Sequence, residues 1–318
     1  MLHVLTDRLA GEKVYQDIRS WLSPPDPWKN HNIAQESRHS GTGEWFVKGD
    51  MFSEWKDSGP SSLLWLHGKR QSPLPTTLTH SQADGFPISV FIAGAGKSVI
   101  WYVIRLMFQS WELTVSISST IIEEIEAMRK FGRASLAIFF YDFREDQKKN
   151  LRGLLSSILA QLCCQSDSYC AILSKLYLEY DYGSRDPGNH SLVLHLKDLL
   201  GLSGQSPIFL IIDALDECPN TTALSSPREQ VLVFIEDLID SQFPNLRICI
   251  TSRPEADIRT VLEPLTFRSI SLHDERGQME DIENYIKAMV NSNRKMRRWK
   301  PEHKQLVIEI LTKRADGM

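Results

Sequence analysis

The chain has 318 residues, of which 42% are hydrophobic and 24% are charged, an ordinary composition for a folded globular protein. Its formal net charge of −4 argues against a general attraction to nucleic acid or to an anionic membrane surface. The five cysteines have no spacing typical of a zinc site or a disulfide framework, so we expect free thiols in a reducing compartment.

The N-terminus carries charged residues too early for a signal peptide. No run of about 18 apolar residues, the length a membrane-spanning helix needs, occurs in the chain. We therefore predict a cytoplasmic protein with neither a membrane nor a nucleic acid as its partner.

Residues 1–60 are predicted to form a short helix and a linker. The helix ends at Trp21-Leu22, because the prolines that follow block its continuation. Residues 28–60 are polar with scattered aromatic residues, and we predict a linker that holds one short helix near 48–56.

Five short apolar runs beyond residue 60 predict buried strands, and helical periodicity separates them. Continuous apolar strands are typical of parallel sheets covered on both faces. Strands that alternate with helices favour an α/β doubly wound domain, here over residues 61–275. Residues 276–318 are predicted to begin a helical extension that continues in a longer protein. The predicted strands are Ser62–His67, Leu136–Asp142, Pro207–Asp213, Leu246–Ser252 and Arg268–Leu272.

The sequence AGAGKS, which ends at Ser98, matches the second half of a Walker A phosphate-binding loop. Gly94 and Gly96 allow backbone N–H groups to turn towards a phosphate. Lys97 would supply a charge for the β- and γ-phosphates, and the Ser98 hydroxyl would bind Mg²⁺. The complete motif requires a further glycine where this sequence has Phe91.

The phosphate loop becomes complete when residues 70–92 are set aside. Gly68, directly after the first strand, then stands at the position of the missing glycine. Residues 102–118 likewise interrupt the helix that should follow Ser98 and that resumes at Ser119. We predict that both segments are insertions, and our hypothesis is that they are translated introns. Insertions genuine to the family are the alternative.

The run IFLIID, from Ile208 to Asp213, is followed by Ala-Leu-Asp-Glu and matches a Walker B strand. Asp213 would hold Mg²⁺ at the carboxyl end of the strand, directly or through water. Asp216 or Glu217 would polarise the attacking water. After the next strand, Arg253 is placed to contact the γ-phosphate.

These motifs together resemble a known family. The segments LHGK…AGAGKS, FLIIDALDECP and LRICITSRPE resemble the NACHT class of STAND NTPases, which are common in filamentous fungi. The stretch RHSGTGEWF, residues 38–46, resembles the segment before the phosphate loop in proteins with a nephrocystin-like N-terminal NACHT module. The resemblance implies a P-loop NTPase-like parallel sheet flanked by helices, with a helical C-terminal extension.

The resemblance also implies a signal-transduction switch with slow hydrolysis at most. Such a switch binds ATP or ADP with Mg²⁺, with GTP as the other candidate nucleotide. It changes conformation and either self-associates or engages an effector protein, and C-terminal repeats usually follow. The alternatives are a non-catalytic P-loop scaffold, in which the insertion disrupts the phosphate site, and a metabolic kinase or motor ATPase. The chain shows no signature of an acceptor-binding site for a kinase.

Overall fold

A computed structural model describes residues 13–38, 41–68, 111–221, 225–272, 275–292, 296–297 and 299–315 of the chain. Its centre is a five-stranded sheet in which every neighbouring pair of strands is parallel. The strands are β1 (Ser62–His67), β2 (Ser135–Phe140), β3 (Ile208–Asp213), β4 (Leu246–Ser252) and β5 (Arg268–Ser271). Their order across the sheet is β2-β3-β4-β1-β5. All five predicted strands are confirmed, and the arrangement is consistent with a P-loop NTPase-like fold.

The strands β2 and β3 are almost continuously apolar because both faces of the sheet are covered there. Every residue of β2 and of β3 is buried. Successive side chains of β3 point to opposite faces. Ile208, Leu210 and Ile212 pack into one hydrophobic cluster, whereas Phe209 and Ile211 pack into the other. A strand of this kind has no polar face, which is why its sequence shows no alternation.

Twelve helices of four residues or more accompany the sheet in the described part of the chain. Helices α1 and α6–α10 cover one face, and α3–α5 cover the other. Helices α11 and α12 share a separate small core and form the predicted C-terminal extension. None of the helices described is long and apolar enough to cross a membrane. They are α1 (13–22), α2 (Trp28–Ser37), α3 (Glu44–Val47), α4 (Asp50–Asp57), α5 (Trp111–Lys130), α6 (Leu151–Cys163), α7 (Asp167–Glu179), α8 (Asn189–Leu200), α9 (Pro227–Asp240), α10 (Ala256–Leu265), α11 (Arg276–Ser292) and α12 (Pro301–Ala315).

The predicted linker over residues 28–60 is instead a packed part of the fold. It contains three helices, α2, α3 and α4. Phe46, Phe52 and Trp55 are each at most 1% exposed and belong to the same hydrophobic cluster as α5. The Trp55 ring meets Phe209 of β3 edge-on, with ring centroids 5.6 Å apart. The prediction failed because these short helices carry too few apolar residues to show a helical period.

The second predicted insertion, residues 102–118, does not break the following helix in its described part. Residues 111–118 belong to α5, which runs without interruption to Lys130. Ile117 and Ser118 are fully buried, like Ile121 one turn later. Residues 70–92 lie outside the described residues.

The glycine-containing turn at residues 41–43 and the start of α3 contact both α5 and the C-terminal extension. Gly43 has a φ of +79°, and a Cβ there would lie 2.8 Å from the Thr120 hydroxyl of α5. The Gly43 N–H and the Trp45 indole N–H both donate to the Asp281 carboxylate of α11, over 2.7 and 3.0 Å. A Cβ at Gly277 would collide with the Trp45 ring. The segment that resembles the nephrocystin-type module therefore touches elements from both ends of the fold.

Replacing Trp55 by alanine tests whether residues 28–60 belong to the folded core. We expect Trp55→Ala to lower the free energy of unfolding by about 3–5 kcal/mol, because it leaves a large cavity between α4 and β3. Ile33→Ala, at a position 60% exposed in α2, should change it by no more than about 0.5 kcal/mol. Urea denaturation of both variants provides the measurement. Equal and small effects would show that this segment does not pack as described.

Candidate functional site

The carboxyl ends of β1, β3 and β4 lie side by side at one edge of the sheet. This follows from the position of β4, which pairs with both other strands and sets His67 opposite Ser252. Ligands of open α/β sheets bind at this edge. The described residues of the predicted nucleotide site all come from it: Gly68, Asp213, Asp216, Glu217 and Arg253. The remaining predicted residues, Gly94, Gly96, Lys97 and Ser98, lie outside the described residues.

Asp213 is the last residue of β3 and is only 2% exposed. Its carboxylate accepts a hydrogen bond of 2.5 Å from the Thr251 hydroxyl and a second one from the Ser118 side chain. Burial raises the pKa of Asp213 to about 6, and the two hydrogen bonds oppose that rise. A cation bound here would favour the ionised carboxylate and lower this pKa again.

Two hydroxyl groups at Asp213 were not predicted as site residues. Thr251 lies in β4, and its hydroxyl both donates to Asp213 and accepts from the Ala214 N–H over 3.0 Å. Ser118 lies in α5, inside the segment predicted to be an insertion. The only sequence signal for Thr251 is its place in the Thr-Ser-Arg-Pro motif, where Arg253 drew the assignment. Ser118 gives no signal, since its contact depends on how α5 crosses the end of β3.

The turn after Asp213 directs Asp216 towards Arg253. Ala214 has a φ of +62°, a left-handed conformation that costs a residue with a Cβ about 1–3 kcal/mol. The 3-10 turn Leu215–Glu217 then brings the Asp216 carboxylate beneath the end of β4. It accepts from the Arg253 N–H over 3.0 Å and lies 3.5 Å from the Arg253 Nε atom.

Asp216 and Arg253 therefore form a contact before any ligand is considered. The Asp216 side chain is 6% exposed, whereas that of Arg253 is 56% exposed. Burial raises the pKa of Asp216, and the Arg253 N–H and guanidinium oppose the rise. The Arg253 guanidinium therefore reaches solvent at the ligand edge, whereas the Asp216 carboxylate is buried. The predicted contact of Arg253 with a γ-phosphate stays a prediction.

Glu217 and Asp142 are neighbouring carboxyl groups whose environments push their pKa values apart. Burial raises the pKa of Glu217 to about 7, although the Phe143 N–H donates to its carboxylate over 3.1 Å. Asp142 is held by the Arg144 guanidinium through bonds of 2.8 and 2.7 Å, which lower its pKa to about 2. Asp142 therefore stays ionised, while Glu217 exchanges a proton near neutral pH. Such a division is typical of acid–base sites.

Gly68 directly follows β1, and a Cβ built there would meet no atom of the described residues within 4 Å. Steric crowding by its described neighbours therefore does not require a glycine at this position. Its carbonyl oxygen lies 3.2 Å from the His67 Nδ1 atom. The role predicted for Gly68, approach of the backbone to a phosphate, is not tested by this geometry.

The oxygen atoms around Asp213 fit a magnesium ion better than a transition metal. No group of three or more His, Cys, Asp or Glu side chains within the described ranges is arranged to hold a metal. Mg²⁺ needs fewer protein ligands, since it is usually held by one or two carboxylates together with phosphates and water. Asp213, with the hydroxyls of Thr251 and Ser118 beside it, provides a donor set of that kind.

Replacing Asp213 by asparagine tests the cost of burying this carboxylate. Because the folded-state pKa is raised, the stability linked to this group declines as the pH rises from about 4 to about 6. We expect Asp213→Asn to raise the free energy of unfolding by about 2–3 kcal/mol at pH 8, and by about 0.5 kcal/mol at pH 4. Asp237→Asn, at a surface ion pair with Lys197, is the control and should show no such difference. A gain that is equal at both pH values would contradict the assignment.

Comparison with known proteins supports part of the resemblance. Residues 114–253 match the family described as nephrocystin 3, N-terminal. The match begins inside α5, covers β2, β3 and β4, and ends at Arg253, so it includes the Walker B strand and the turn after it. No curated protein matches the chain. Over these residues, less than half of its length, the chain is similar to the N-terminal region of nephrocystin 3.

Proposed function

We propose that the chain is a nucleotide-binding switch of the NACHT type, with slow hydrolysis at most. The observation that carries the proposal is the buried Asp213 carboxylate, which two hydroxyls contact at the carboxyl edge of a parallel sheet. Burial that raises the pKa of a carboxylate gives no advantage to a carboxylate that has only a structural role at a strand end. A carboxylate that binds a cation, by contrast, benefits from a site that excludes water.

In this proposal, each residue at the carboxyl edge of the sheet has a separate role. Asp213 would hold Mg²⁺, and Ser118 and Thr251 orient its carboxylate. The ion, when bound, neutralises the charge of the nucleotide phosphates. Glu217 accepts the proton of the attacking water, because its pKa is near 7. Asp216 is the weaker candidate for that role, since Arg253 already occupies its carboxylate.

The phosphates would be held by residues outside the described ranges together with Gly68. Gly94 and Gly96 would turn their N–H groups inward, Lys97 would pair with the β- and γ-phosphates, and Ser98 would contact Mg²⁺. ATP or ADP is the expected nucleotide, with GTP as the alternative. Arg253, exposed at the same edge, would distinguish the triphosphate from the diphosphate.

A switch needs only a difference in affinity between two conformations, so slow hydrolysis is sufficient. In the same proposal the protein is cytoplasmic and self-associates or engages an effector protein. The rival function is a non-catalytic scaffold. It is favoured by the separation of Gly68 from Ala93 in the sequence, because residues 70–92 interrupt the motif whose glycines would cradle the β-phosphate.

Nucleotide binding by the chain as it stands separates the switch from the scaffold. We expect Mg²⁺-dependent binding of a fluorescent ATP analogue, with the dissociation constant raised about tenfold or more by Asp213→Asn and by Lys97→Ala. Asp237→Asn, with its charge change far from the edge, should leave binding unchanged. Binding that is insensitive to Lys97→Ala would refute the phosphate-loop assignment. A chain that binds nucleotide only after residues 70–92 are deleted would identify the longer form as a scaffold.

The pH dependence of hydrolysis tests the role of Glu217. A base with a pKa of about 7 is half ionised at that pH, so the single-turnover rate should rise almost tenfold per unit below it and level off above pH 8. Glu217→Gln should remove the hydrolysis and leave nucleotide affinity within about twofold. A variant that keeps both the rate and its pH profile would exclude Glu217 as the base.

A further inference from the structure

Arg228 is a buried cation in a position where a helix does not favour one. It is the second residue of α9, next to Pro227, and is 5% exposed. The amino end of a helix carries the positive end of the helix dipole, so a cation there is disfavoured. Ser226 and Glu229 already form a capping box at this end of α9, which therefore does not need Arg228 for its termination.

The Arg228 guanidinium contacts two separate segments of the site. Its Nη2 and Nε atoms donate to the carbonyl oxygens of Asp216 and Cys218, over 2.6 and 2.8 Å. Its Nη1 atom donates to Glu255 over 2.5 Å and to Asp257 over 3.2 Å. The first two partners belong to the turn after the Walker B strand, and the last two belong to the start of α10. One planar group therefore spans both segments, which a lysine cannot do with the same geometry.

The balance of charge around Arg228 supports a fixed arrangement. Burial opposes its charge, but Glu255 and Asp257 outweigh that effect and raise the pKa of Arg228. These carboxylates are 45% and 33% exposed, so each keeps part of its contact with water. The cost of burial falls mainly on the arginine, which has partners for Nε, Nη1 and Nη2.

The two segments are also joined at the ligand edge, by the bond from the Arg253 N–H to the Asp216 carboxylate. Arg228 holds the carbonyl of the same Asp216 residue from below. We propose that Arg228 is a positioning residue that locks residues 214–218 and 253–257 into one unit, so that Arg253 reports the nucleotide state to α9 and α10. The reporting role of Arg253 rests on the proposed nucleotide function. The lock itself, formed by the hydrogen bonds of Arg228, is present without nucleotide.

Hydrogen exchange in the nucleotide-free full chain tests the lock directly. We expect Arg228→Lys to speed amide exchange at least tenfold in peptides that cover residues 214–218 and 253–257, and to leave β2 unchanged. Arg247→Lys is the matched control, because Arg247 is also buried, at 7% exposure, and also donates to carbonyl oxygens, but at the opposite end of β4. Its exchange at the two segments should equal that of the wild type.

The relative affinity for ATP and ADP then tests whether Arg253 reports the nucleotide state. In a chain that binds nucleotide, Arg228→Lys should bring the ratio of the ATP and ADP dissociation constants at least threefold closer to one, as Arg253→Ala does, and the double variant should add nothing. Faster exchange with an unchanged ratio would make Arg228 merely structural and overturn the inference. Unchanged exchange would overturn it as well.

Two further outcomes remain distinguishable from these. If the wild-type chain binds no nucleotide, the proposed function fails, and faster exchange at both segments alone decides whether Arg228 locks them. If Arg228→Lys does not fold, Glu255→Gln replaces it. That variant keeps the arginine but removes one ion pair, and it should speed exchange in residues 253–257. Its failure to do so would also overturn the inference.

Discussion

The parallel pairing of β4 with β3 on one side and β1 on the other is the constraint on which the site depends. It places the carboxyl ends of three strands at one edge and brings Thr251 against Asp213. Both partners are nearly inaccessible to water, so their hydrogen bond forms in a medium of low dielectric constant. The same burial makes the Asp213 carboxylate costly to ionise. A cation that binds a buried carboxylate relieves this unfavourable ionisation. Its binding is therefore more favourable in free energy than binding to an exposed carboxylate.

The turn between Asp213 and α9 presents backbone carbonyl groups that need hydrogen-bond partners from outside the turn. Ala214 takes a left-handed conformation, and the backbone bonds of the 3-10 turn leave the carbonyls of Asp216 and Cys218 to be satisfied elsewhere. The Arg228 guanidinium satisfies both carbonyls. An arginine from the next helix therefore compensates for the burial of polar backbone at this turn. In the proposed function this turn would couple hydrolysis, nucleotide sensing and stability, since it carries both Asp216 and Glu217.

The sequence was sufficient for the strands and for the acidic residues at their ends, because both are local signals. A continuous apolar run followed by Asp213 needs no knowledge of distant residues. Arg228 and Ser118 could not be found in this way, because each acquires its role from a partner on another element. The linker prediction for residues 28–60 failed for a related reason. Phe52 and Trp55 are isolated in a polar sequence, and only the facing surface of α5 and the sheet makes them core residues.

The position of Ser118 limits how the phosphate loop can reach the site. Residues 111–118 are helical, so at 1.5 Å per residue α5 already extends about 10 Å beyond Ser118 towards its amino end. In an uninterrupted Walker unit the serine of the motif opens the helix that packs beneath it. Here Ser98 precedes Ser118 by twenty residues, which an unbroken helix would stretch over about 30 Å. For Ser98 and Asp213 to share one ion, the chain between residues 98 and 111 must return Ser98 to the end of β3. The proposed nucleotide binding therefore depends on the interval between the phosphate loop and α5 as well as on the residues of the Walker B edge.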